Sequence, residues 1–346
     1  MGQARRVPSA ETREGVSLSN LDTPLFDGAD ATKRDLVDYL DAMSGRILPV
    51  LAGRALSVVR VLRGQNPFMQ KNVPRYAPDW LPTVPAWAQS SQRQVRYPVC
   101  DDRRTLLWLA NQRAVEYHPQ LFRGDAWDAP TSLVLDLDPP EPDGADGAAP
   151  STGSGAVLHA FRTAARAALL VREVLDAAGM ASAVKTSGAK GVHVVVPLDG
   201  TAHGEDVMAA TRAVAARAER LDPALATTAY ITADRAGKVF LDATRSGGAT
   251  VVATWSPRVR PGTTVSFPLP WADLLDADPR DATVRTVPGL LAAAGPDADP
   301  WRDLLPAAQT LDPGLVEEGR TIPVARVAAM HEGKRRAKAR REAGET

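Results

Sequence analysis

The chain has 346 residues, which at roughly 150 residues per domain leaves room for two compact units or for one large domain with a long appendage. Its single cysteine, Cys100, cannot form an internal disulfide, and no basic and then apolar stretch precedes it, so we expect a cytoplasmic protein without a signal peptide. No apolar run approaches the length of a membrane span, and 41 basic residues cancel 41 acidic ones, so the net charge gives no argument for a nucleic-acid partner.

The amino-terminal part of the chain changes from an irregular to a helical pattern. Residues 1–15 are polar, carry scattered arginines and lack periodicity, which predicts a flexible terminus with structure beginning near Val16. A hydroxyl at Thr32 precedes apolar residues at helical spacing, and this arrangement predicts a capped helix over 32–51.

The following segment combines a strand, an irregular stretch and a second helix. The β-branched run 56–63 predicts a strand, and five prolines within 67–85 argue against regular structure there. Leucines at helical spacing predict a helix over 103–116, which should end at His118 and the proline after it.

The central section has the clearest pattern, a succession of elements in the order β-α-β-β-α-β. This order is typical of a ferredoxin-like or RNA-recognition-type sheet with its helices on one face. The predicted strands cover 132–138, 182–186, 192–197, 229–232 and 238–243, and the predicted helices cover about 155–179 and 204–220. Beyond residue 256 the chain is rich in proline, and six basic residues among the eight from 334 to 341 predict a mobile tail.

Two aspartates end the first strand of this pattern. Asp136 and Asp138 are two residues apart, so their side chains should project from the same face of the sheet. Like charges at this separation repel, and a hard divalent cation such as Mg²⁺ or Mn²⁺ relieves the repulsion. The alternative is a strand that runs into an acidic turn continued by Pro139 and Pro140.

A turn rich in glycine and lysine joins the next two strands. Its sequence is KTSGAKGVH, from Lys185 to His193, and includes Ser187 and Lys190. Glycines let backbone N–H groups approach an anion, and the lysines add charge, so the turn could hold a phosphate. It lacks the spacing of a P-loop. The alternative is a solvated hairpin turn with His193 as a core histidine.

A third strand delivers another carboxylate, Asp242, followed by Arg245 and later by Arg258. An acid near arginines is more often a structural salt bridge than a site. Together with Asp136 and Asp138, however, Asp242 supplies a third oxygen ligand, and arginines suit bidentate phosphate binding. The combined set is suited to holding a metal-bound triphosphate.

The succession DLDP, SGxxGxH and FLD with a following arginine resembles the archaeo-eukaryotic primase superfamily. Three segments outside this succession of motifs resemble the polymerase domain of bacterial DNA ligase D. They are FMQKNVPRYAPDW, DDRRTLLWLANQRAVEYHP and PGTTVSFPLPWADLL. The resemblance covers about 16–289. It implies an α+β primase-polymerase fold, in which an N-terminal α/β module joins an antiparallel catalytic sheet resembling the RNA-recognition motif. The resemblance implies a flexible N-terminus over residues 1–15 and a catalytic domain over 16–300. This domain would consist of two intertwined modules, with its catalytic sheet at about 130–260. Residues 301–346 would form a C-terminal extension.

The resemblance also implies roles for single residues. Two divalent ions, Mn²⁺ or Mg²⁺, would be held by the catalytic residues Asp136, Asp138 and Asp242. The incoming nucleotide would be contacted by His118, Ser187, Lys190, His193, Arg245 and Arg258. DNA would be contacted by Lys33, Phe68 and Lys71. The chain departs from the family at Met69, where a second aromatic is usual, and at Thr23, which replaces one of two lysines that grip a 5′-phosphate.

The implied function is template-directed gap filling in DNA repair. The partners would be gapped or primed DNA and nucleoside triphosphates, with ribonucleotides preferred, and a separate DNA ligase would seal the products in the nucleoid. No ligase or nuclease domain fits in the remaining residues, so the resemblance points to a stand-alone primase-polymerase of bacterial excision repair. Two alternatives remain. A metal-dependent phosphohydrolase of the Asp-x-Asp type needs Thr or Val where this chain has Pro140. A non-catalytic DNA-binding module would not need all three aspartates.

Overall fold

The computed structural model describes residues 11–88, 93–124, 128–140, 154–247, 250–295 and 297–324. The chain divides into two compact units, each built from separated segments. The first unit comprises Met1–Pro119, Val252–Ser266 and Arg280–Ala298, and the second comprises Gln120–Val251, Phe267–Pro279 and Asp299–Thr346. None of the helices in the described parts has the length and apolar character needed to cross a membrane.

Both units mix helices with largely antiparallel sheets, as an α+β fold requires. The strands within the described residues are β1 (Glu11–Arg13), β2 (Val16–Leu18), β3 (Leu56–Arg60), β4 (Phe68–Gln70), β5 (Thr83–Ala88), β6 (Arg93–Pro98), β7 (Ala114–Pro119), β8 (Ser132–Asp138), β9 (Ala183–Thr186), β10 (Val192–Pro197), β11 (Ala226–Thr227), β12 (Val239–Asp242) and β13 (Pro268–Leu269). The α-helices there are α1 (Lys33–Ala42), α2 (Ser44–Leu51), α3 (Arg103–Asn111), α4 (Ser154–Ala177), α5 (Gly204–Leu221), α6 (Val287–Ala294), α7 (Pro300–Leu304) and α8 (Pro313–Thr321).

In the first unit, β7 and β4 flank β3 in an antiparallel sheet, and α1 packs against α3. The predicted cap of the first helix is confirmed, because the Asp35 amide donates to Thr32 Oγ1 (3.3 Å) and the Thr32 amide donates to Asp35 Oδ2 (2.7 Å). The apolar faces of the helices supply a core in which Leu36, Leu40 and Leu106 are inaccessible to solvent.

Several boundaries in the first unit differ from the predictions. The helix predicted over 32–51 divides at Met43 into α1 and α2. The helix predicted over 103–116 ends at Asn111, because Arg113 has a φ of 61° and the following residues pair with β3 as β7. Regular structure begins with β1 at Glu11 rather than near Val16 as predicted, and residues 1–10 lie outside the described ones. The stretch 67–85 contains β4 and the start of β5 despite its prolines.

The sheet of the second unit confirms the predicted β-α-β-β-α-β arrangement. Its strand order is β11-β12-β8-β10-β9-β13, and the inner pairings β12-β8, β8-β10 and β10-β9 are all antiparallel. One face packs on α4 and α5, where Leu135 and Leu137 of β8 join Phe161 in a large apolar core. The opposite face carries the alternate residues of β8, so Asp136 and Asp138 point away from the two helices.

One expectation in the second unit is corrected. The strand predicted over 229–232 is wrong, since β11 lies earlier and residues 232–234 form a 3₁₀ turn. Glu219 holds this region by accepting hydrogen bonds from the Thr228 amide (3.1 Å) and hydroxyl (2.7 Å). Residues 301–324, predicted to lie in a C-terminal extension, include α8, and Leu315 and Val316 of this helix enter the core of the second unit. The basic stretch 334–341 lies outside the described residues.

Candidate active site

Strand pairing places four polar side chains in one row across the sheet of the second unit. His193 of β10 and Asp242 of β12 each lie opposite Asp136 of β8, and Lys185 of β9 lies opposite His193. Residues directly opposite one another share a face, so the row lies on the face that Asp136 shares with Asp138. All four members of the row are buried. The sheet thus brings together residues that are far apart in sequence.

Hydrogen bonds along the row fix the orientation of His193. Lys185 Nζ lies 2.9 Å from His193 Nδ1, and His193 Nε2 lies 3.1 Å from Asp136 Oδ1. An ammonium group can only donate, so Nδ1 accepts and the ring proton sits on Nε2. His193 therefore donates to Asp136, and Lys185 determines which ring nitrogen does so.

Arg245 joins two of the three aspartates. Its Nη2 lies 3.0 Å from Asp136 Oδ2, and its Nε lies 3.0 Å from Asp242 Oδ2. Asp242 Oδ1 also accepts hydrogen bonds from the Thr244 amide (2.9 Å) and hydroxyl (2.6 Å). The guanidinium thus neutralises a carboxylate pair that would otherwise repel.

The two aspartates of β8 have opposite electrostatic surroundings. Burial disfavours ionisation of Asp136, but its contact with His193 and the positive charges of Arg245 and Lys185 outweigh this effect and hold the pKa of Asp136 below its usual range. Burial and then the charge of Asp136 raise the pKa of Asp138 to about 6. Negative charge is therefore compensated at Asp136 and accumulates at Asp138.

Within the described residues, no group of three or more His, Cys, Asp or Glu side chains is arranged to hold a metal ion as it stands. The three aspartates nevertheless fit a hard divalent cation in donor type, and the raised pKa of Asp138 marks excess negative charge that such a cation would relieve. Arg245 contacts both Asp136 and Asp242, so a bound metal ion and the guanidinium would share these two carboxylates.

The turn between β9 and β10 carries Ser187 and Lys190. Ser187 Oγ accepts hydrogen bonds from the amides of Ala189 (3.3 Å) and Gly191 (3.1 Å), so this hydroxyl shapes the turn. A Cβ at Gly191 would lie 2.8 Å from the Leu137 carbonyl oxygen, which explains the glycine at the point where the turn meets β8. Lys190 is partly exposed beside it.

In the first unit, His118 and Arg258 share one partner, Glu116. Glu116 Oε2 lies 2.8 Å from His118 Nε2, and Glu116 Oε1 lies 3.2 Å from Arg258 Nε. The Val259 amide also donates to Oε1 (2.8 Å). Burial alone would raise the pKa of Glu116, but the hydrogen bond from His118 and the charge of Arg258 lower it to about 2. Two predicted nucleotide-binding residues thus meet at one carboxylate.

Lys33 lies in the wall of a basic cavity of about 1290 Å³ in the first unit. Its ammonium donates to the Ser19 carbonyl oxygen and to Asn111 Oδ1, each at 2.6 Å, and the residue is only 3% exposed. Burial, and then the charge of Arg113, lower the pKa of Lys33 to about 8. Arg113 Nη1 donates to Thr23 Oγ1 (3.0 Å), so an arginine contacts the residue predicted to replace one of two phosphate-binding lysines.

Phe68 and Lys71, the other predicted DNA-binding residues, lie in and just after β4. Phe68 is 36% exposed, and the guanidinium of Arg60 lies 6.0 Å from the centre of its ring. Arg60 also donates to Tyr76 Oη (3.1 Å), and Tyr76 is 63% exposed. Exposed aromatic rings beside a cation are suited to stacking on nucleic-acid bases.

Sequence reasoning missed three residues that organise these groups. Glu116 stands two positions before His118 on β7, so the period of two along a strand would have placed these side chains on one face, whereas Lys185 meets His193 through the pairing of β9 with β10. Thr244 follows Asp242 by two residues and caps it. No other signal in the sequence identifies them.

Comparisons with known proteins agree with the geometry. Residues 32–301 match the family described as "LigD, primase-polymerase domain". The "Multifunctional non-homologous end joining DNA repair protein LigD" of Mycobacterium tuberculosis is 33% identical over 276 residues, which are 77% of this chain and 34% of that protein. The "Bifunctional non-homologous end joining protein LigD" of Bacillus subtilis is 32% identical over 263 residues, 75% of this chain and 39% of that protein.

A solved structure is also similar. It is the "Polymerase Domain from Mycobacterium tuberculosis Ligase D in complex with DNA", with a TM-score of 0.71 and 31% sequence identity. The match covers 85% of this chain and 99% of that one. The chain spans about a third of the length of the curated relatives it matches, and the matched part corresponds to the polymerase domain.

Proposed function

Because the chain belongs to the family of LigD primase-polymerase domains, we propose that it adds nucleotides to a primer 3′ end under the direction of a DNA template, filling short gaps in DNA repair with a preference for ribonucleotides. The observation that carries the proposal is the placement of Asp136, Asp138 and Asp242 on one face of the antiparallel sheet. Primase-polymerases are nucleotidyltransferases, so the predicted class of enzyme follows from the family.

The three aspartates are proposed to hold two divalent ions, Mn²⁺ or Mg²⁺. Bound ions would lower the pKa of the attacking 3′-hydroxyl and stabilise the charge on the leaving pyrophosphate. The contribution of the protein itself is positioning. Lys185 and His193 hold the Asp136 carboxylate on one side, and Thr244 holds Asp242, so the carboxylates are oriented before substrate arrives.

Six side chains are proposed to contact the incoming nucleotide, namely Ser187, Lys190, His193, Arg245, His118 and Arg258. Arg245 can exchange its carboxylate partners for phosphate oxygens, since a guanidinium forms bidentate pairs with either. Loss of a single charge-assisted hydrogen bond should weaken nucleotide affinity by about 1.5–3 kcal/mol.

DNA is proposed to bind through the first unit. Exposed Phe68 would stack on a template base, Lys71 would contact backbone phosphate, and Lys33 would act near a 5′-phosphate. The similar polymerase domain from Mycobacterium tuberculosis was solved in complex with DNA, and the curated relatives are named for non-homologous end joining. We propose that this chain acts in gap filling and that a DNA ligase seals its products.

Primer extension on a duplex with a one-nucleotide gap tests the proposal. Wild type should add the templated nucleotide, more readily from ribonucleotides than from deoxyribonucleotides, in the presence of Mn²⁺ or Mg²⁺. Asp242→Asn should abolish addition, whereas Asp199→Asn, on an exposed aspartate bonded to Thr201 and Thr310, should leave it unchanged.

Three outcomes would overturn parts of this proposal. Phosphate release from a phosphomonoester without primer extension would favour the Asp-x-Asp phosphohydrolase. Tight DNA binding without nucleotide addition would favour a non-catalytic module. Full extension by Asp242→Asn would remove that aspartate from the metal site.

A further inference from the structure

The buried carboxylate of Glu116 is the common partner of two predicted nucleotide-binding residues, although its own position matches no predicted role. It lies on β7, two residues before His118, and is only 7% exposed. Both of its oxygens are engaged, Oε2 by His118 Nε2 and Oε1 by the Val259 amide and the Arg258 guanidinium. A buried carboxylate with this set of donors is unlike the exposed glutamates that pair with single arginines on the protein surface.

The ionisation of Glu116 decides which nitrogen of the His118 ring carries the proton. The pKa of Glu116 is lowered to about 2, so the side chain is a carboxylate at neutral pH and can only accept hydrogen bonds. His118 Nε2, 2.8 Å from Oε2, must therefore donate. In a neutral imidazole the proton on Nε2 leaves Nδ1, on the other side of the ring, as an acceptor.

The same carboxylate orients Arg258. Its Nε lies 3.2 Å from Oε1, and the next residue, Val259, donates its amide to that same oxygen (2.8 Å). A backbone hydrogen bond beside the ion pair fixes the segment that carries Arg258 as well as the side chain. One carboxylate thus holds a residue of β7 and a residue of a later loop in a single arrangement within the first unit.

We propose that Glu116 is a positioning residue for nucleotide binding, which fixes the tautomer of His118 and the orientation of Arg258 without touching the nucleotide itself. This inference rests on the proposed function, since it assumes that His118 and Arg258 contact the incoming nucleotide. The tautomer, however, is a property of the protein alone.

Nuclear magnetic resonance tests the positioning directly. The chain has five histidines, so ¹⁵N-histidine labelling with a His118→Gln variant assigns the ring signals. In spectra of the neutral ring, recorded at alkaline pH, wild-type His118 should carry its proton on Nε2. In Glu116→Gln the amide can donate as well as accept, so the ring should shift toward the Nδ1-protonated form.

Steady-state kinetics test the consequence for the substrate. Glu116→Gln should raise the KM for the nucleotide by about tenfold, the change expected when one charge-assisted hydrogen bond to the nucleotide is lost. The Kd for gapped DNA should stay unchanged. Glu219→Gln is the matched control, because Glu219 also accepts from a backbone amide but has no histidine or arginine partner in the contacts described above. Its KM should equal that of wild type.

A double-mutant cycle separates positioning from loss of stability. If Glu116 acts through His118, Glu116→Gln should raise KM less in a His118→Ala background than in wild type. Equal increases in the two backgrounds would overturn the part played by His118. A wild-type His118 ring protonated on Nδ1, or averaging between tautomers like a free imidazole, would overturn the proposal even if Glu116→Gln failed to fold.

The proposed function and the positioning role can fail separately. A wild type that adds no nucleotide overturns the proposed function, and the ring spectra then still decide whether Glu116 fixes His118. An active wild type whose KM for nucleotide is unchanged in folded Glu116→Gln overturns the positioning role and leaves the proposed function standing.

Discussion

Asp136 and Asp138 stand two residues apart on β8, yet they meet different charges. Asp136 contacts His193 and Arg245, whereas the pKa of Asp138 is raised by burial and by Asp136 itself. An ionised aspartate stabilises the fold when neighbouring cations neutralise its charge. It destabilises the fold when it is buried beside another negative charge. The same residue type can therefore have opposite effects on stability within one site.

We expect Asp136→Asn and Asp138→Asn each to abolish nucleotide addition but to change stability in opposite directions. Asp136→Asn leaves Arg245 with fewer partners in a buried site and should lower the melting temperature. Asp138→Asn removes a crowded charge and, after allowance for solvent screening, should raise the free energy of unfolding by about 2 kcal/mol at pH 7. Thermal unfolding with a metal chelator present, combined with primer extension, measures both effects.

The stabilisation by Asp138→Asn should depend on pH. The pKa of Asp138 is about 6 in the folded protein and 3.8 in the unfolded chain. The destabilisation by the ionised carboxylate therefore sets in as the pH rises from 3.8 to about 6, and it persists above that range. Well below pH 3.8 the wild-type carboxyl is protonated in both states, and the two proteins should unfold alike. A stabilising effect of Asp136→Asn would contradict the assignment of the compensated charge.

Ionised Glu116 should stabilise the protein, in contrast to ionised Asp138, so acid should remove its contribution. Its pKa falls from 4.5 to about 2 on folding, so its contribution, about 3 kcal/mol, is fully present above pH 4.5 and is lost as the pH falls through about 2. The difference in free energy of unfolding between wild type and Glu116→Gln, measured in urea over a series of pH values, should therefore shrink toward acid. A difference that stays constant down to about pH 2 would show that the shift is absent.

At the scale of elements, α8 is held against α5 by close approach of the two backbones. A Cβ placed on Gly319 would lie 1.8 Å from the Ala209 carbonyl oxygen and 2.2 Å from its carbon. The Gly319 carbonyl also accepts from Arg212 Nη2 (3.1 Å). Only glycine permits this contact, so the end of the described chain is a structural part of the second unit.

Gly319→Ala should therefore destabilise the protein although alanine favours helix formation. The added methyl group must force α8 away from α5, and overpacking of this kind costs about 1–3 kcal/mol or more. Gly289→Ala, in α6 where nothing lies within 4 Å of the new Cβ, is the matched control and should be neutral or stabilising. Urea unfolding of both variants measures the contrast, and equal effects would disprove the close contact.

At the scale of the whole molecule, the first unit carries the features proposed to choose the DNA substrate. Its basic cavity is lined by Lys33 and Arg113, and the Lys33 ammonium already donates to two neutral acceptors. A cation that is engaged and buried binds an incoming phosphate less readily than an exposed pair of lysines. We therefore expect weak recognition of a 5′-phosphate.

Wild type should discriminate only modestly between gaps with 5′-phosphate and 5′-hydroxyl ends, and should favour short gaps over two separate ends. Thr23→Lys should increase the preference for the 5′-phosphate by adding a second lysine, while Thr23→Met, which adds length without charge, should not. Binding and fill-in on one-nucleotide gaps measure this. A large preference in wild type, unaltered by Thr23→Lys, would show that another group, such as Arg113, replaces the missing lysine.

The sequence alone predicted much of the second unit and the family of the chain. Strands β8 and β10 have the predicted bounds, because each is a continuous apolar run whose ends are marked locally. The ordered motifs predicted the primase-polymerase family and the class of enzyme, and both are confirmed. The roles of single side chains stay predictions, because motif identity does not measure a function.

The tertiary structure decided what local pattern could not. The helix predicted over 103–116 ended early because residues 114–119 gain more by pairing with β3 than by continuing a helix. The contact of His193, Arg245 and Asp242 with Asp136 depends on the register between strands distant in sequence. The alternation along β8 determined that Asp136 and Asp138 share a face, and only the pairing of the sheet determined which charges meet them there, because register is set by long-range packing.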